Sequence, residues 1–294
     1  MPTFRLAHLT DPHLQPPADA LSRADIFSKR GLSAFAWRRK GPEHQPQVLR
    51  ALTDDIRAYR PDHIALTGDL INFAAPAEFE AARAWLQSLG DPRDITVSPG
   101  NHDALVARDA PERFAPWREW LGDGADPVFP SLRERGPIAI INVSSAVPTA
   151  PWLATGRVGK DQLDALARLL DSLDGRDLFR LLLIHHPPAR GVVSKRKSLE
   201  DGDDLRALLK SRPVDLILHG HGHEPAVSQV DGPTGPIPVL GAPSASASLD
   251  GHHTPARWHA IEIDGRDLRI TARGLSKTGG FEELGSYRLA ASSR

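Results

Sequence analysis

The amino-acid sequence predicts an α/β fold, because short apolar runs alternate with longer stretches whose apolar residues recur at helical spacing. The short runs are rich in Ile, Val and Leu, as buried strands are, and each longer stretch carries one apolar stripe. The chain has 294 residues, of which 40% are hydrophobic and 25% charged, so it can bury a sizeable core. We therefore expect one large domain over residues 1–294, with loop insertions.

Six strands are predicted before residue 224, and helices are predicted between them. Apolar stripes at helical spacing cover residues 48–56, 79–89 and 163–173, and we interpret them as helix faces that pack on a core. The predicted strands are Phe4–Leu9, His63–Leu66, Ile95–Val97, Ile138–Val143, Phe179–Ile184 and Val214–Leu218.

The C-terminal part, from about residue 224, is β-rich. It consists of short β-like pieces separated by Gly, Pro and Asp-Gly turns, which predicts a largely antiparallel sheet. These pieces are Ala226–Val230, Ile237–Leu240, Trp258–Ile263 and Leu268–Ala272.

Composition excludes several classes of function. The formal net charge of −1 and the pI near 6.9 provide no general field for nucleic acid, so no nucleic-acid partner is expected. The chain has no Cys and 13 His, which excludes disulfides, thiolate zinc sites and thiol nucleophiles. The N-terminus lacks the features of a signal peptide, and no apolar run reaches the roughly 18 residues of a spanning helix. We expect a soluble, cytoplasmic protein, although the lack of Cys fits an exported one equally well.

Two short motifs follow the first two predicted strands. Asp11 and His13 offer an oxygen and a nitrogen donor at one strand exit, where ligands bind in α/β sheets. Asp69 follows Gly68, and a carboxylate can bridge two cations with its two oxygens. Each motif taken alone also fits an ordinary surface turn, so neither is decisive without the others.

The third motif, Pro99-Gly100-Asn101-His102-Asp103, is more specific because three successive polar groups follow a strand. Asn101 can ligate a metal through its amide oxygen, and His102 can donate or accept a proton. Asp103 can orient the His102 imidazole. A Gly-Asn turn with an incidental His is the alternative.

Two histidine motifs follow the fifth and sixth predicted strands. His185 and His186 are adjacent, so on an extended chain they point in opposite directions and at most one reaches a given metal. His221 and His223 alternate, so they point the same way, and the flanking glycines remove steric bulk. We interpret the second pair as metal ligands.

Together the motifs supply oxygen and nitrogen donors without sulfur. This mixture suits Mn²⁺, Fe or Zn²⁺ better than Mg²⁺ or Ca²⁺. Seven donors exceed one tetrahedral site, so two ions that share a carboxylate are expected. Two ions roughly 3.5–4 Å apart hold a water as hydroxide and neutralise charge in an in-line displacement at phosphorus.

The five motifs, in this order, resemble those of the calcineurin-like metallophosphoesterases. The resemblance covers residues 11 to 223, with no expected ligand missing. It implies a four-layer α/β/β/α sandwich of two mixed sheets with metals at strand ends, in which the β-rich C-terminal part completes the second sheet.

The resemblance also implies the role of each residue. One ion is expected between Asp11, His13, Asp69 and His223, and the other between Asn101, His185, His221 and the shared Asp69. His102 is implied as the general acid or phosphate-stabilising group, with Asp103 as its support. The choice of His185 over His186 likewise comes from the resemblance.

The implied activity is phosphoester hydrolysis by attack of a metal-bridging hydroxide on a small-molecule substrate. The chain is most similar in appearance to bacterial single-domain phosphodiesterases of the cyclic-nucleotide and glycerophosphodiester type. Two alternatives remain: a pyrophosphatase for a nucleotide-linked lipid precursor, and a non-catalytic scaffold of the same fold. The sequence does not predict the oligomeric state.

A basic insertion at about residues 15–45 bears on the substrate. It is interpreted either as a lid that grips an anionic substrate, or as a solvated helix that packs through Phe35 and Trp37. Peripheral membrane contact through segment 28–40 is a further possibility. The basic residues of this segment are Lys29, Arg30, Arg38, Arg39 and Lys40.

Overall fold

The computed structural model describes residues 3–25, 27–39, 43–107, 110–124 and 128–291, which form two six-stranded sheets with helices on their outer faces. The strands are β1 (Phe4–Leu9), β2 (His63–Leu66), β3 (Ile95–Val97), β4 (Ser131–Arg135), β5 (Ile138–Asn142), β6 (Phe179–Leu183), β7 (Leu216–His219), β8 (Ala226–Asp231), β9 (Pro236–Gly241), β10 (Arg257–Asp264), β11 (Asp267–Leu275) and β12 (Phe281–Ala290). The α-helices are α1 (Lys29–Arg39), α2 (Pro46–Tyr59), α3 (Pro76–Leu89), α4 (Ala110–Arg113), α5 (Arg118–Leu121), α6 (Lys160–Ser172) and α7 (Gly202–Leu209).

Both sheets are mixed. The first has the order β12-β11-β10-β1-β2-β3, in which β1, β2 and β3 are parallel and the other neighbours antiparallel. The second has the order β4-β5-β6-β7-β9-β8, in which β5, β6, β7 and β9 are parallel. Because parallel strands end at the same edge, the loops that follow them collect on one side of each sheet.

Three apolar clusters separate four layers. Leu6 of β1 packs in the cluster between the sheets, while Leu9, on the opposite face, belongs to a cluster with Leu52 of α2. Leu182 of β6 shares the third cluster with Leu166 of α6 on the outer face of the second sheet. The predicted α/β/β/α sandwich is therefore confirmed.

Strand prediction succeeded for the central strands and for the edge strands β3 and β8, and it missed the edge strands β4 and β12. β1, β2 and β3 have the predicted bounds, whereas β4 and β12 were not predicted. Both are edge strands, and a strand with one neighbour needs fewer apolar side chains than a central one. β4 reads Ser-Leu-Arg-Glu-Arg, and only Arg133 at its centre is buried.

The expectation that the C-terminal part completes the second sheet was half wrong. β8 and β9 do join the second sheet, but β10, β11 and β12 extend the first. The physical link is the antiparallel pairing of β10 with β1, in which Ala7 lies opposite Ala260. The C-terminal part thus contributes to both sheets, and the N-terminal strand lies in the middle of the first sheet.

The basic insertion contains α1, and the first two basic side chains of this helix contact the body of the protein. Arg30 donates to the carbonyl oxygens of Phe73 (3.2 Å) and Ala74 (2.7 Å), and Lys29 donates to that of Thr149 (2.7 Å). Lys40 lies outside the described residues. Among the residues described, no helix is long and apolar enough to span a bilayer.

The cluster between the sheets can be tested with a Leu181→Ala substitution. Leu181 of β6 is fully buried there, so the free energy of unfolding should fall by about 2–5 kcal/mol. The matched control is Leu32→Ala on α1, where the leucine is 58% exposed and the change should stay within about 0.5 kcal/mol. Urea denaturation measures both, and equal losses would contradict the layered packing.

Candidate metal centre

The predicted ligands converge where the two sheets present the carboxyl ends of their parallel strands. The loops after β1, β2 and β3 in the first sheet, and after β6 and β7 in the second, supply all seven side chains. Six are buried, and His223 is half-buried. These side chains are Asp11, His13, Asp69, Asn101, His185, His221 and His223.

One group of donor atoms forms around His223. Its Nε2 lies 3.2 Å from His13 Nε2 and 3.3 Å from Asp11 Oδ1. The other carboxylate oxygen of Asp11 accepts hydrogen bonds from the Thr10 hydroxyl (2.6 Å) and the His221 backbone N–H (3.0 Å). Asp11 Oδ1 is buried and accepts no hydrogen bond from any of the residues that the structure describes. This oxygen is therefore available to a ligand.

The tautomer of His13 is determined by Asn72. The Asn72 side-chain N–H donates to the carbonyl oxygen of Leu14 (2.7 Å), so its Oδ1 faces His13 Nδ1 at 3.0 Å. Since Oδ1 only accepts, His13 carries its proton on Nδ1. The lone pair on His13 Nε2 therefore points at the group around His223.

A second group of donor atoms forms around His185. Its Nδ1 donates to the carbonyl oxygen of Thr67 (2.6 Å), which places the lone pair of the neutral ring on Nε2. That Nε2 lies 3.2 Å from Asn101 Oδ1 and 3.3 Å from Asp69 Oδ2. One carboxylate oxygen of Asp11, one of Asp69 and one ring nitrogen of His185 all lie within 4.8 Å of one another. The two groups are thus adjacent.

His221 also has an assigned tautomer. Its Nε2 donates to the carbonyl oxygen of Lys197 (2.9 Å), so Nδ1 carries the lone pair. The ring centre lies 5.0 Å from that of His185. A ring nitrogen that donates to a carbonyl while its partner faces inward is typical of metal-bound histidine.

The residues fit a pair of metal ions. Asp11 Oδ1 accepts no hydrogen bond among the described residues, and the Nε2 atoms of His13 and His223 face each other at 3.2 Å, so a cation bound among these atoms would be stabilised by all three. Burial opposes a positive charge on His185, yet the Asp69 carboxylate raises the pKa of this imidazole to about 9. The site therefore attracts positive charge, and its donors are the oxygen and nitrogen types that divalent transition metals accept.

Most of these ligands have a left-handed backbone. Seven described non-glycine residues have a positive φ, a region that Asp and His adopt more readily than bulky residues. Five of them are predicted ligands: Asp11 (50°), His13 (41°), Asp69 (52°), His221 (69°) and His223 (55°).

Gly68 allows two of the ligand loops to approach closely. Its φ is +96°, and a Cβ atom added there would lie 2.5 Å from His185 Nδ1 and 2.8 Å from the backbone nitrogen of Gly100. A side chain would thus push apart the ligands at the ends of β2, β3 and β6. This explains physically why glycine precedes Asp69.

His102 lies beside the donors and is held by backbone contacts. Its N–H donates to Asp69 Oδ1 (2.7 Å), and its Nδ1 donates to the carbonyl oxygen of Asn72 (2.9 Å). The lone pair of the neutral ring is therefore on Nε2. The ring centre lies 5.0 Å from that of His13.

Asp103 contacts backbone rather than the His102 ring. Its carboxylate accepts from the N–H groups of Ile71 (3.1 Å) and Gly100 (2.8 Å), so it ties the loop after β2 to the loop after β3. The expected contact with the imidazole is not among the hydrogen bonds of the described residues. Burial, followed by the charge of Asp69, raises the pKa of Asp103 well above its ordinary value.

His186 uses both ring nitrogens in other contacts. Nδ1 is hydrogen-bonded to the Ser145 hydroxyl (2.8 Å), and Nε2 lies 3.3 Å from the carbonyl oxygen of Ala154. Burial lowers the pKa of this imidazole to about 3. Its ring is nonetheless close to that of His221, with 4.3 Å between centres, so it packs against a predicted ligand.

Sequence reasoning missed two residues at this site. Asn72 orients both His13 and His102, and its position three residues after Asp69 was the available signal. His44 belongs to a cluster with His13 and His223 in which one ligand atom from each lies within 4.8 Å of the others. No motif marks His44, because it lies in the basic insertion.

Comparisons with known proteins agree with this geometry. A family profile described as calcineurin-like phosphoesterase matches residues 4–225. A probable cyclic nucleotide phosphodiesterase of Synechococcus sp. is 29% identical over 269 residues, which cover 89% of this chain and 88% of that protein. A glycerophosphodiester phosphodiesterase of Enterobacter lignolyticus is 27% identical over 174 residues, or 58% of this chain and 59% of that protein.

Solved structures show the same fold. A dimetal phosphatase from Danio rerio aligns with a TM-score of 0.67 at 12% identity, covering 99% of this chain and 100% of that one. A purple acid phosphatase from yellow lupin seeds aligns with a TM-score of 0.65 at 15% identity, covering 98% of this chain and 54% of that one.

The orienting role of Asn72 predicts that Asn72→Ala weakens metal binding by about 10–100-fold, because His13 loses the partner that fixes its tautomer. Isothermal titration of the metal-free protein with Mn²⁺ measures the change. Gln229→Ala, at an exposed position of β8, serves as the control and should bind as the wild type does. Unchanged affinity in Asn72→Ala would show that the contact does not orient a ligand.

Proposed function

This chain belongs to the calcineurin-like phosphoesterases and is a metal-dependent phosphoester hydrolase; from this premise we propose that it is a phosphodiesterase of small diesters. The observation that carries the proposal is the convergence of two adjacent groups of buried donors, around His223 and around His185. The long match to a relative described as a probable cyclic nucleotide phosphodiesterase favours a diester over a monoester.

We assign the ligands to two ions. The first ion would lie among Asp11, His13, Asp69 and His223, and the second among Asn101, His185, His221 and the same Asp69. The contacts within each group support this division, and the cluster of Asp11, Asp69 and His185 supports a carboxylate shared between the ions. Mn, Fe or Zn suits this mixture of ligands. When bound, such ions supply a nucleophilic water of lowered pKa and neutralise charge at phosphorus.

His102 is proposed as the residue that meets the substrate. Its Nδ1 donates to the carbonyl oxygen of Asn72, which fixes the ring, and a second proton carried on Nε2 could then be donated to the phosphoryl group or to the leaving oxygen. Asp69 accepts from the backbone N–H of His102, so the ring is attached to the proposed bridging residue. The role of Asp103 is then indirect, since it fixes the two loops that carry Asp69 and His102.

We also propose that residues 1–294 form a single domain. β10, β11 and β12 lie in one sheet with β1, β2 and β3, so the β-rich C-terminal part packs as a portion of the sandwich. The cluster between the sheets includes Ile261 of β10 and Leu181 of β6. Limited proteolysis that released a stable C-terminal fragment would contradict this proposal.

Diester hydrolysis is the direct test. With Mn²⁺ supplied, the wild type should hydrolyse bis(p-nitrophenyl) phosphate faster than p-nitrophenyl phosphate, and Asn101→Ala should lower kcat at least about tenfold by removing a proposed ligand. Gln229→Ala is the matched control. No turnover of the diester by the metal-loaded wild type would refute the proposed function, and preference for the monoester would reassign the substrate.

A His102→Gln substitution separates proton transfer from metal binding. Because His102 is proposed as a substrate-facing group and not as a ligand, kcat should fall by about 10²–10⁴ while the number of bound metal ions stays the same. Turnover of the same diester and metal analysis of the dialysed protein give the two readouts. Loss of a metal ion in this variant would make His102 a ligand instead.

A further inference from the structure

We propose that His44, in the basic insertion, is a further ligand of the first metal ion and completes an imidazole triad with His13 and His223. The inference rests on the proposed two-ion centre and adds to it a residue outside the five motifs. One ligand atom each from His13, His44 and His223 lies within 4.8 Å of the others.

The packing of the rings supports a shared ligand. The centre of the His44 ring lies 4.4 Å from that of His13 and 5.6 Å from that of His223. Three imidazoles this close would repel one another if they were protonated, whereas neutral rings around one cation stabilise the arrangement. The three rings are thus close enough for neutral imidazoles to share one cation.

Hydrogen bonds to His44 have the pattern expected of a ligand. Its Nδ1 is hydrogen-bonded to the hydroxyls of Ser246 (2.9 Å) and Ser244 (3.3 Å). A histidine that binds a metal through one ring nitrogen is usually held by a hydrogen bond at the other, and the Nδ1 contacts of His44 are of that kind. Ser244 also donates to the carbonyl oxygen of Asp11 (2.6 Å), so it links His44 to a ligand loop.

The backbone around His44 is fixed independently of any metal. His44 forms a β-bridge with Ala247, and Gln45 N–H donates to the carbonyl oxygen of Ser246 (2.8 Å). Ser248 N–H donates to the carbonyl oxygen of Glu43 (2.8 Å). The run of Ala and Ser at residues 242–248 therefore holds the insertion against the metal centre, and its small side chains permit this close approach.

Trp37 of α1 covers the outer face of the His44 ring. The two rings are stacked, with 5.2 Å between centres and 7° between planes. Trp37 also contacts Phe73 edge to face, with 6.3 Å between centres, so the stack is supported from the body of the protein. His44 is thus enclosed by an aromatic ring, two hydroxyls and two imidazoles.

A third imidazole has a consequence for metal selectivity. The first ion would have His13, His44 and His223 as nitrogen ligands, whereas the second would have two. Nitrogen-rich sites favour Zn²⁺, Fe and Co²⁺ over Mg²⁺, so the first ion should be the more tightly held of the two. The insertion would then raise the affinity of the first site for such metals in addition to packing beside it.

Titration with Co²⁺ tests the assignment. Metal-free wild type should bind two Co²⁺ ions, and His44→Gln should weaken the tighter of the two at least about tenfold with a changed visible spectrum. Ser246→Ala, which keeps the imidazole but removes the nearer of its two hydroxyl partners, should weaken the same ion less. His252→Gln removes an exposed imidazole and should bind as the wild type does.

The outcomes separate this inference from the proposed function. Identical Co²⁺ affinities and spectra in wild type and His44→Gln would overturn the ligand assignment, and a fall in kcat with unchanged binding would make His44 a substrate contact instead. Circular dichroism of each variant verifies folding. A wild type that binds Co²⁺ but hydrolyses no diester would refute the proposed function alone, because the titration decides the role of His44 without turnover.

Discussion

The arrangement of this protein depends on two buried carboxylates, Asp11 and Asp69, at the edge where the two sheets meet. Charge removed from water is costly unless it is compensated, and here the compensation is divided among fixed neighbours. Asp69 accepts from the His102 N–H and faces His185, while Asp11 accepts from Thr10 and from the His221 N–H. The other oxygen of Asp11 accepts no hydrogen bond among the described residues and lies 3.3 Å from His223 Nε2, so a bound cation would add to the compensation. The loops after β1, β2, β3, β6 and β7 bring together the groups that compensate these two charges.

The backbone of these loops is strained at the residues whose side chains are proposed to bind the metal ions. A left-handed non-glycine residue costs roughly 1–3 kcal/mol, and such residues persist where surrounding structure holds them. Hydrogen bonds between the first two loops do so here: Asp11 N–H donates to Gly68 O (2.9 Å) and His13 N–H to Asp69 O (3.1 Å). The two loops therefore hold each other in the strained conformation. Metal binding would offset the remaining strain by stabilising the same geometry.

The sequence predicted what local patterns determine and missed what long-range contacts determine. Central strands such as β1 and β2 were predictable because they are continuous apolar runs. The seven proposed ligands were picked out because polar residues follow such runs, and their role as ligands stays a prediction. β4 was missed because an edge strand carries polar residues on an exposed face. His44 was missed for a different reason, since its place beside His13 depends on a bridge to Ala247, about two hundred residues away in the chain. No spacing rule expresses that contact.

The insertion shows why charge in a sequence is an uncertain guide to a binding site. Its basic residues suggested a lid that grips an anion, yet Lys29 and Arg30 donate to backbone carbonyl oxygens and so attach α1 to the protein. The carbonyls that Arg30 contacts, those of Phe73 and Ala74, directly follow Asn72, which orients two histidines of the centre. Fixing α1 therefore also fixes the segment behind the proposed ligands. Lys29 and Arg30 act here as structural anchors, and the part of the insertion proposed to bind a metal is the uncharged His44 ring, on which Trp37 stacks.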